Sequence, residues 1–230
     1  MTHPAPSPAT MTRRHASTDS ATHRLRQAFK LGAPPDWTAA RAAILAGAPV
    51  DTPIPVRGGA TPLIVATMTG DTTEVGWLLD RGAGPDAVNS KGEPALIRAV
   101  LHSHTAIAVL LLEHGADPNA RDRDSRTALM VVSLTRDAKS AKDLIATLLD
   151  HGADPSRMTS DGRTLPEIFA STYRQDMLAI LDRALASPQR TEARQHLLAR
   201  LTAGQRLAWL PKSSAAEAAM AVRTDWHRTP

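Results

Sequence analysis

The chain has no cysteine, which excludes a disulfide framework, a zinc ribbon and thiol chemistry. Aromatic residues make up 3% of its 230 positions, with one Tyr and two Phe. A core must therefore be built from Leu, Ile, Val and Ala, which the 42% hydrophobic content can supply. No apolar run approaches the ~18–20 residues of a membrane span. The N-terminus lacks the apolar stretch of a secretory signal peptide. The expected location is the cytoplasm, or outside the cell by a route needing no cleavable signal peptide. Gly-rich phosphate loops, Gly-x-Ser-x-Gly turns and His-Glu-x-x-His motifs are all missing. Asp122 and Asp124 lie on a hydrophilic loop, where burial is not expected to tune an acid. Asp117-x-Asn119-x-Arg121 fails as a calcium loop, because Arg121, Asp122 and Ala128 stand where a ligand, a Gly and a Glu are needed. The expectation is a non-enzymatic chain with no cofactor and no metal.

Negative charge is scarce at both ends. Residues 1–57 and 187–230 each hold seven Lys/Arg against three Asp/Glu, whereas residues 58–186 hold thirteen against seventeen. The net charge of +4 thus belongs to the ends, and the middle is acidic. A basic chain ordinarily suggests nucleic acid. Here the basic charge lies outside the part with the clearest pattern, so nucleic-acid binding through the termini is the alternative reading. Arginine far outnumbers lysine and alanine is abundant, which points to a high-GC bacterial source.

What is present is repetition. Gly59-Ala-Thr-Pro-Leu-Ile-Val-Ala66, Gly92-Glu-Pro-Ala-Leu-Ile-Arg-Ala99 and Ser125-Arg-Thr-Ala-Leu-Met-Val-Val132 are copies of one phrase. A second phrase follows each: Leu78-Leu79-Asp80-Arg81-Gly82-Ala83, Leu111-Leu112-Glu113-His114-Gly115-Ala116 and Leu148-Leu149-Asp150-His151-Gly152-Ala153. The spacing is 33 residues, with about four inserted near Arg136 to Lys142. Such a period signals a solenoid. Each copy reads as two short helices. Thr61 and Thr127 are expected N-caps, and Pro62 suits a first helical turn. The first helix is expected over Pro62 to Thr69 and the second over Thr73 to Arg81. Gly82, Gly115 and Gly152 stand where a helix exit needs positive φ. Residues 86–92, 119–125 and 156–162 read as projecting hairpins. The core is expected from Leu63, Ala66, Leu78, Leu79, Leu96, Ala99, Leu110, Leu111, Leu129, Leu144 and Leu148, since one repeat cannot bury its apolar face alone.

This pattern resembles the ankyrin repeat, most closely at Thr61-Pro62-Leu63 and Gly115-Ala116-Asp117-Pro118-Asn119, and the resemblance covers about residues 21–186. The family's helix-start His is Ile64, Ile97 and Met130 here, and in Gly162-Arg-Thr-Leu-Pro-Glu-Ile-Phe-Ala170 Pro and Leu are exchanged. The resemblance implies an all-α solenoid of helix-turn-helix repeats with hairpin loops. The expected organisation is an unstructured tail (1–20), a degenerate N-terminal cap (21–57), four repeats (58–90, 91–123, 124–158, 159–186) and a C-terminal helical extension (187–230). In that extension Thr191–Leu201, Gln205–Leu210 with Trp209, and Ser213–Ala221 read as helical.

The resemblance also implies a monomer that binds a partner protein through its hairpin tips and inner helices, as a scaffold, inhibitor or recruiter. An exported effector engaging a host protein is one version. The candidate contact residues are Arg57, Met68, Ser90, Lys91, Glu93, Leu101, His102, Arg123, Asp124, Arg126, Leu134, Thr135, Asp161 and Arg163. Arg123 and Arg126, flanking Asp124, form the expected centre, because a guanidinium pairs and stacks well at interfaces. His102, His104, His114 and His151 read as surface residues.

Overall fold

The computed structural model describes residues 8–135, 137–171, 175–186 and 190–200. Its helices are α1 (Pro8–Gln27), α2 (Trp37–Leu45), α3 (Pro62–Thr69), α4 (Thr72–Asp80), α5 (Ala95–Leu101), α6 (Thr105–Glu113), α7 (Ala128–Val131), α8 (Ala138–Asp150), α9 (Leu165–Ser171), α10 (Gln175–Leu185) and α11 (Thr191–Arg200). Extended pairing among the described residues is limited to isolated bridges: Ile54 with Ala60, Val88 with Pro94 and Arg121 with Thr127. These close polar loops into hairpins. The fold is the expected all-α solenoid of helix-turn-helix repeats. The chain divides into two compact units, Met1–Asp117 and Pro118–Pro230.

In the first unit, α1 packs on α2, α3 on α4 and α5 on α6, and neighbouring pairs stack through α3–α5 and α4–α6. Local chemistry sets each boundary. Thr61 accepts a hydrogen bond from the Ile64 amide (3.4 Å), Pro62 occupies the first turn, and Gly70 ends α3 at φ 79°. Asp71 accepts from the Glu74 amide (3.1 Å) and so caps α4. Leu63, Ile64, Ala66, Val75, Leu78, Leu96, Ile97, Ala99, Ile107 and Leu111 are buried. Leu110, expected in this core, is only half-buried. Helix α6 instead turns Ile107, Ala108, Leu111 and Leu112 inward.

One departure concerns the N-terminal end. The segment expected as an unstructured tail is helical from Pro8 onward. It has no apolar period of its own, but it runs on from the face Ala21, Leu25 and Ala28, all buried. A helix already nucleated by such packing propagates at little further cost. Trp37 then sits edge-on to Phe29, with ring centroids 5.2 Å apart, which locks the turn between α1 and α2.

In the second unit, α7 packs on α8 and α9, and α8 and α9 both pack on α10. The inserted residues lengthen the outer helix: α8 has 13 residues, whereas α4 and α6 have 9 each. Arg136 lies outside the described residues. The inner helix is shortened to α7 plus a 3-10 turn over Val132–Leu134. Thr127 does precede α7, but its hydroxyl makes no cap bond and is buried without a partner. In the fourth copy Pro166 still falls in the first turn of α9, where its missing N–H costs nothing. Glu167 accepts there from the Thr164 amide (2.7 Å) and hydroxyl (2.9 Å). Beyond α10, Arg190 donates to the Ala146 and Ala184 carbonyls and to Asp150, and Leu197 of α11 is buried. The expected helices at 205–210 and 213–221, with Trp209, lie outside the described residues.

One bond recurs at each repeat step inside the units. Asp51 accepts from the Gly84 amide (3.1 Å) and Asp86 from the Asp117 amide (2.9 Å) in the first unit. Asn119 accepts from the Asp154 amide (2.8 Å) in the second. An Asx side chain thus takes up a backbone N–H just past the helix exit of the next repeat. Such groups must find a partner when water is excluded.

Candidate partner-binding surface

Hairpin tips and the exposed ends of the inner helices carry the expected contact residues. Each hairpin is closed by the side chain at its start. Asn89 accepts from the Lys91 and Glu93 amides (2.9 and 3.1 Å). Asp122 accepts from the Asp124 and Arg126 amides (3.0 and 2.9 Å). Thr159 accepts from the Arg163 amide (3.1 Å). The tips also meet within each unit. The Ser90 hydroxyl donates to the Gly58 carbonyl (2.6 Å), and the Ser160 hydroxyl to the Asp124 carbonyl (3.3 Å).

In the first unit the candidates separate into two kinds. Lys91 and His102 are exposed, Leu101 is half-buried and Met68 is an exposed apolar side chain. These are available to a partner. Arg57 and Glu93 are engaged internally. Arg57 donates to the Ala33 carbonyl and to that of Lys30 (3.2 Å), pinning the turn after α1. Glu93 accepts from the Asn89 amide group (2.8 Å) and faces Arg98 at 3.5 Å. Arg98, absent from the sequence-based set, lies one helical turn before His102, and its Nη2 is 3.2 Å from His102 Nε2.

The second unit gathers five candidates around one groove of about 350 Å³: Asp124, Arg126, Leu134, Asp161 and Arg163. Met130, Val131 and Ile168 add apolar walls, and Ser133, Thr159, Ser160 and Ser171 add hydroxyls. Leu134 is 49% exposed and adds apolar surface at the end of the short inner helix. Two like charge pairs rim the groove, Asp124 with Arg126 (3.1 Å) and Asp161 with Arg163 (2.7 Å). The Thr159 hydroxyl donates to Asp161 and, helped by the Arg163 charge, holds that carboxyl below the usual carboxylate range. The groove therefore has a rim of paired charges and apolar walls.

The expected centre needs correction. Asp122, read as an exposed loop carboxylate, is buried. Arg126 clasps it through Nε (2.8 Å) and Nη2 (2.8 Å). Arg126 thus holds its own hairpin shut, although part of the guanidinium remains accessible. Arg123 is exposed and does not line the groove. Thr135, expected at the surface, is buried, and its hydroxyl donates to the Val132 carbonyl (2.8 Å). Sequence reasoning missed Met130, Ile168 and the serines because hairpin and helix residues of two repeats must be brought together to form the groove. A signal was present: Asp124-Ser-Arg126 and Asp161-Gly-Arg163 repeat one pattern at one repeat's spacing.

Among the described residues, no three His, Asp or Glu side chains cluster as a metal site, and no helix is long and apolar enough to cross a membrane. His114 and His151 are exposed. Each ring Nδ1 lies 2.8 Å from the carbonyl four residues earlier.

Comparison with known proteins agrees with this architecture. Two family models, ankyrin repeats in three copies and ankyrin repeats in many copies, match residues 38–122 and 102–145. An ankyrin repeat-containing protein of Schizosaccharomyces pombe is 38% identical over 72 residues, covering 31% of this chain and 35% of its own. The mouse ankyrin repeat and SAM domain-containing protein 6 is 38% identical over 80 residues, covering 34% of this chain and 9% of its own. An ankyrin repeat protein of Acanthamoeba polyphaga mimivirus is 33% identical over 81 residues, covering 35% and 46%. The matches thus span less than half the length of each of these relatives.

Proposed function

The chain belongs to the ankyrin repeat family, and on that premise we propose that it binds a partner protein through the hairpin and inner-helix face of its second unit. Ankyrin repeats are in general protein–protein interaction modules. The observation that carries the reading is the groove between the third and fourth copies, where four expected contact residues meet around a fifth, the exposed Leu134. Apolar walls with a polar rim match the anatomy of an interface hot spot, where a buried anchor is ringed by polar contacts. The chain acts as a scaffold, inhibitor or recruiter, without chemistry of its own. Cytoplasmic action and export to engage a host protein are both compatible with this surface.

The test uses the chain as bait in a lysate of its source organism, followed by titration of the recovered protein in purified form. Leu134→Asp and Arg163→Ala remove the apolar anchor and one rim cation without touching the Asp122–Arg126 clasp. Together they are expected to weaken binding at least about tenfold, with circular dichroism and thermal midpoint unchanged, since a hot-spot truncation costs about 2 kcal/mol or more. Unchanged affinity refutes the groove. Nucleic-acid binding through the basic termini predicts a steep loss of affinity with salt instead. It also predicts loss on removing residues 187–230.

A further inference from the structure

The first unit holds a cluster of basic side chains that neither the groove nor the repeat core uses. It sits where α5 ends and α6 begins. Arg98 and His102 are one turn apart on α5 and its exit, with Arg98 Nη2 3.2 Å from His102 Nε2. The rings of His102 and His104 stack at 5.7 Å, 17° from parallel. His104 is held from below by the preceding repeat. A Cβ placed on Gly70 would lie 2.9 Å from His104 Cε1, so the ring rests directly on the exit of α3. Three groups able to carry positive charge therefore converge in a fixed geometry at an exposed turn.

Glu93 offsets only the Arg98 charge: the two pair at 3.5 Å with both side chains largely buried, while the Arg98 Nε is buried with no hydrogen-bond partner. Glu93 is itself shared with Asn89. Among the described residues, neither His102 nor His104 has a carboxylate within ion-pairing distance. The α3 exit beneath His104 is Gly70, and the carboxylate next to it, Asp71, is taken up by the Glu74 amide at the start of α4 (3.1 Å).

We propose that Arg98, His102 and His104 form a docking point for a carboxylate-bearing segment of the partner protein, and that docking there takes up a proton on His102. This rests on the reading that the chain binds protein, and it adds the chemistry of one contact. Without a partner, burial first, then the Arg98 and His104 charges, pull His102 below the ordinary histidine value. It is therefore neutral near pH 7, and a neutral ring can accept the Arg98 N–H. A docked carboxylate reverses the balance, because an opposite charge at contact favours the charged form. The complex then holds more protons than the free protein, so affinity must rise as pH falls. Each unit of difference in pKa between bound and free states changes affinity by about tenfold.

The test uses the full chain and a fluorescein-labelled octaglutamate peptide, with octaglutamine as the uncharged control. Anisotropy titrations run at about pH 6 and about pH 7.5, where Glu is ionised throughout. The expected result is binding about three- to tenfold tighter at the lower pH, with no binding of octaglutamine. His102→Gln is expected to abolish that dependence, and His104→Gln to reduce it. Histidine ring signals followed by NMR in the unsubstituted protein should show His102 titrating higher when peptide is bound. Leu134→Asp is expected to change none of this, which separates failure of the groove from failure of this contact. Affinity independent of pH, or a pH dependence that survives His102→Gln, overturns the proposal. So does peptide binding that perturbs only histidines outside the cluster. Tighter binding of an oligothymidylate with the same His102 dependence overturns the choice of a protein partner.

Discussion

Removing Arg41 should cost more than removing the acid it pairs with. Arg41 on α2 donates to Glu74 on α4 through Nε (3.0 Å) and Nη2 (2.6 Å). The Glu74 side chain is 9% exposed and that of Arg41 36%. Arg41→Ala strands a carboxylate that water barely reaches. Hydrogen bonds to a charged group are worth about 1.5–3 kcal/mol, and breaking a fully buried pair costs about 3–5. The partial exposure of Arg41 argues for the lower range, about 2 kcal/mol. Loss of its guanidinium from the face of Trp77, 5.2 Å away, adds about 0.5 kcal/mol. Glu74→Ala leaves behind only an arginine that can turn to solvent, so about 1 kcal/mol is expected. The repeat supplies a third arm. Ile107 and Leu144 occupy the place of Glu74 in later copies, and both are buried. Arg41→Ala combined with Glu74→Leu should therefore recover most of the loss, because a buried ion pair replaced by packed apolar groups is often neutral or stabilising. Urea titrations followed by circular dichroism and by fluorescence of Trp37 and Trp77 read all three. The reasoning fails if Glu74→Ala is the more costly single change, or if the double variant is no better than Arg41→Ala.

Other outcomes follow from single contacts. Gly70→Ala forces a left-handed φ and a clash with His104, whereas Gly82→Ala meets nothing within 4 Å. Thermal melts should show the first losing about 2–3 kcal/mol and the second about 1. Thr127→Val removes a hydroxyl that has no partner and should be neutral or stabilising by up to about 1 kcal/mol, measured by urea midpoint. Asp122→Ala opens the third hairpin and is expected to cost about 3 kcal/mol, with Arg126 becoming mobile by NMR. The lowered His102 pKa makes a pH prediction. The unfolded chain binds that proton more readily, so the group's contribution is intact above about pH 6.5 and is lost as pH falls through the folded value. His102→Gln should flatten this part of the stability profile, read as thermal midpoint against pH.

Most of the architecture is legible in one dimension because it rests on chemistry within a few residues. Thr61 and Pro62 start α3, Gly70 ends it, and positive φ at Gly82, Gly115 and Gly152 follows from glycine alone. The 33-residue period then dictates stacking, since no single copy can bury its own apolar face. Contact residues were legible only as positions. That Asp124, Arg126, Leu134, Asp161 and Arg163 share one groove required two copies to be placed side by side. The burial of Thr135 depended on how α7 shortens into a 3-10 turn.

The sequence by itself determined the repeat, the all-helical class, the ends of most helices and the absence of a catalytic motif. Each of these is set by period, by composition or by neighbours one turn away. The tertiary structure decided which charges are tools and which are fasteners. Arg57, Arg126 and Arg41 look alike in sequence. They become a turn clamp, a hairpin clasp and a half-buried ion pair because their partners are carbonyls 24 and 27 residues back, a carboxylate 4 residues back and a carboxylate 33 residues on. Arg163, whose guanidinium pairs with Asp161 at the rim, stays 59% exposed. Where a long side chain goes depends on what the fold brings within its reach, and a linear pattern does not carry that distance.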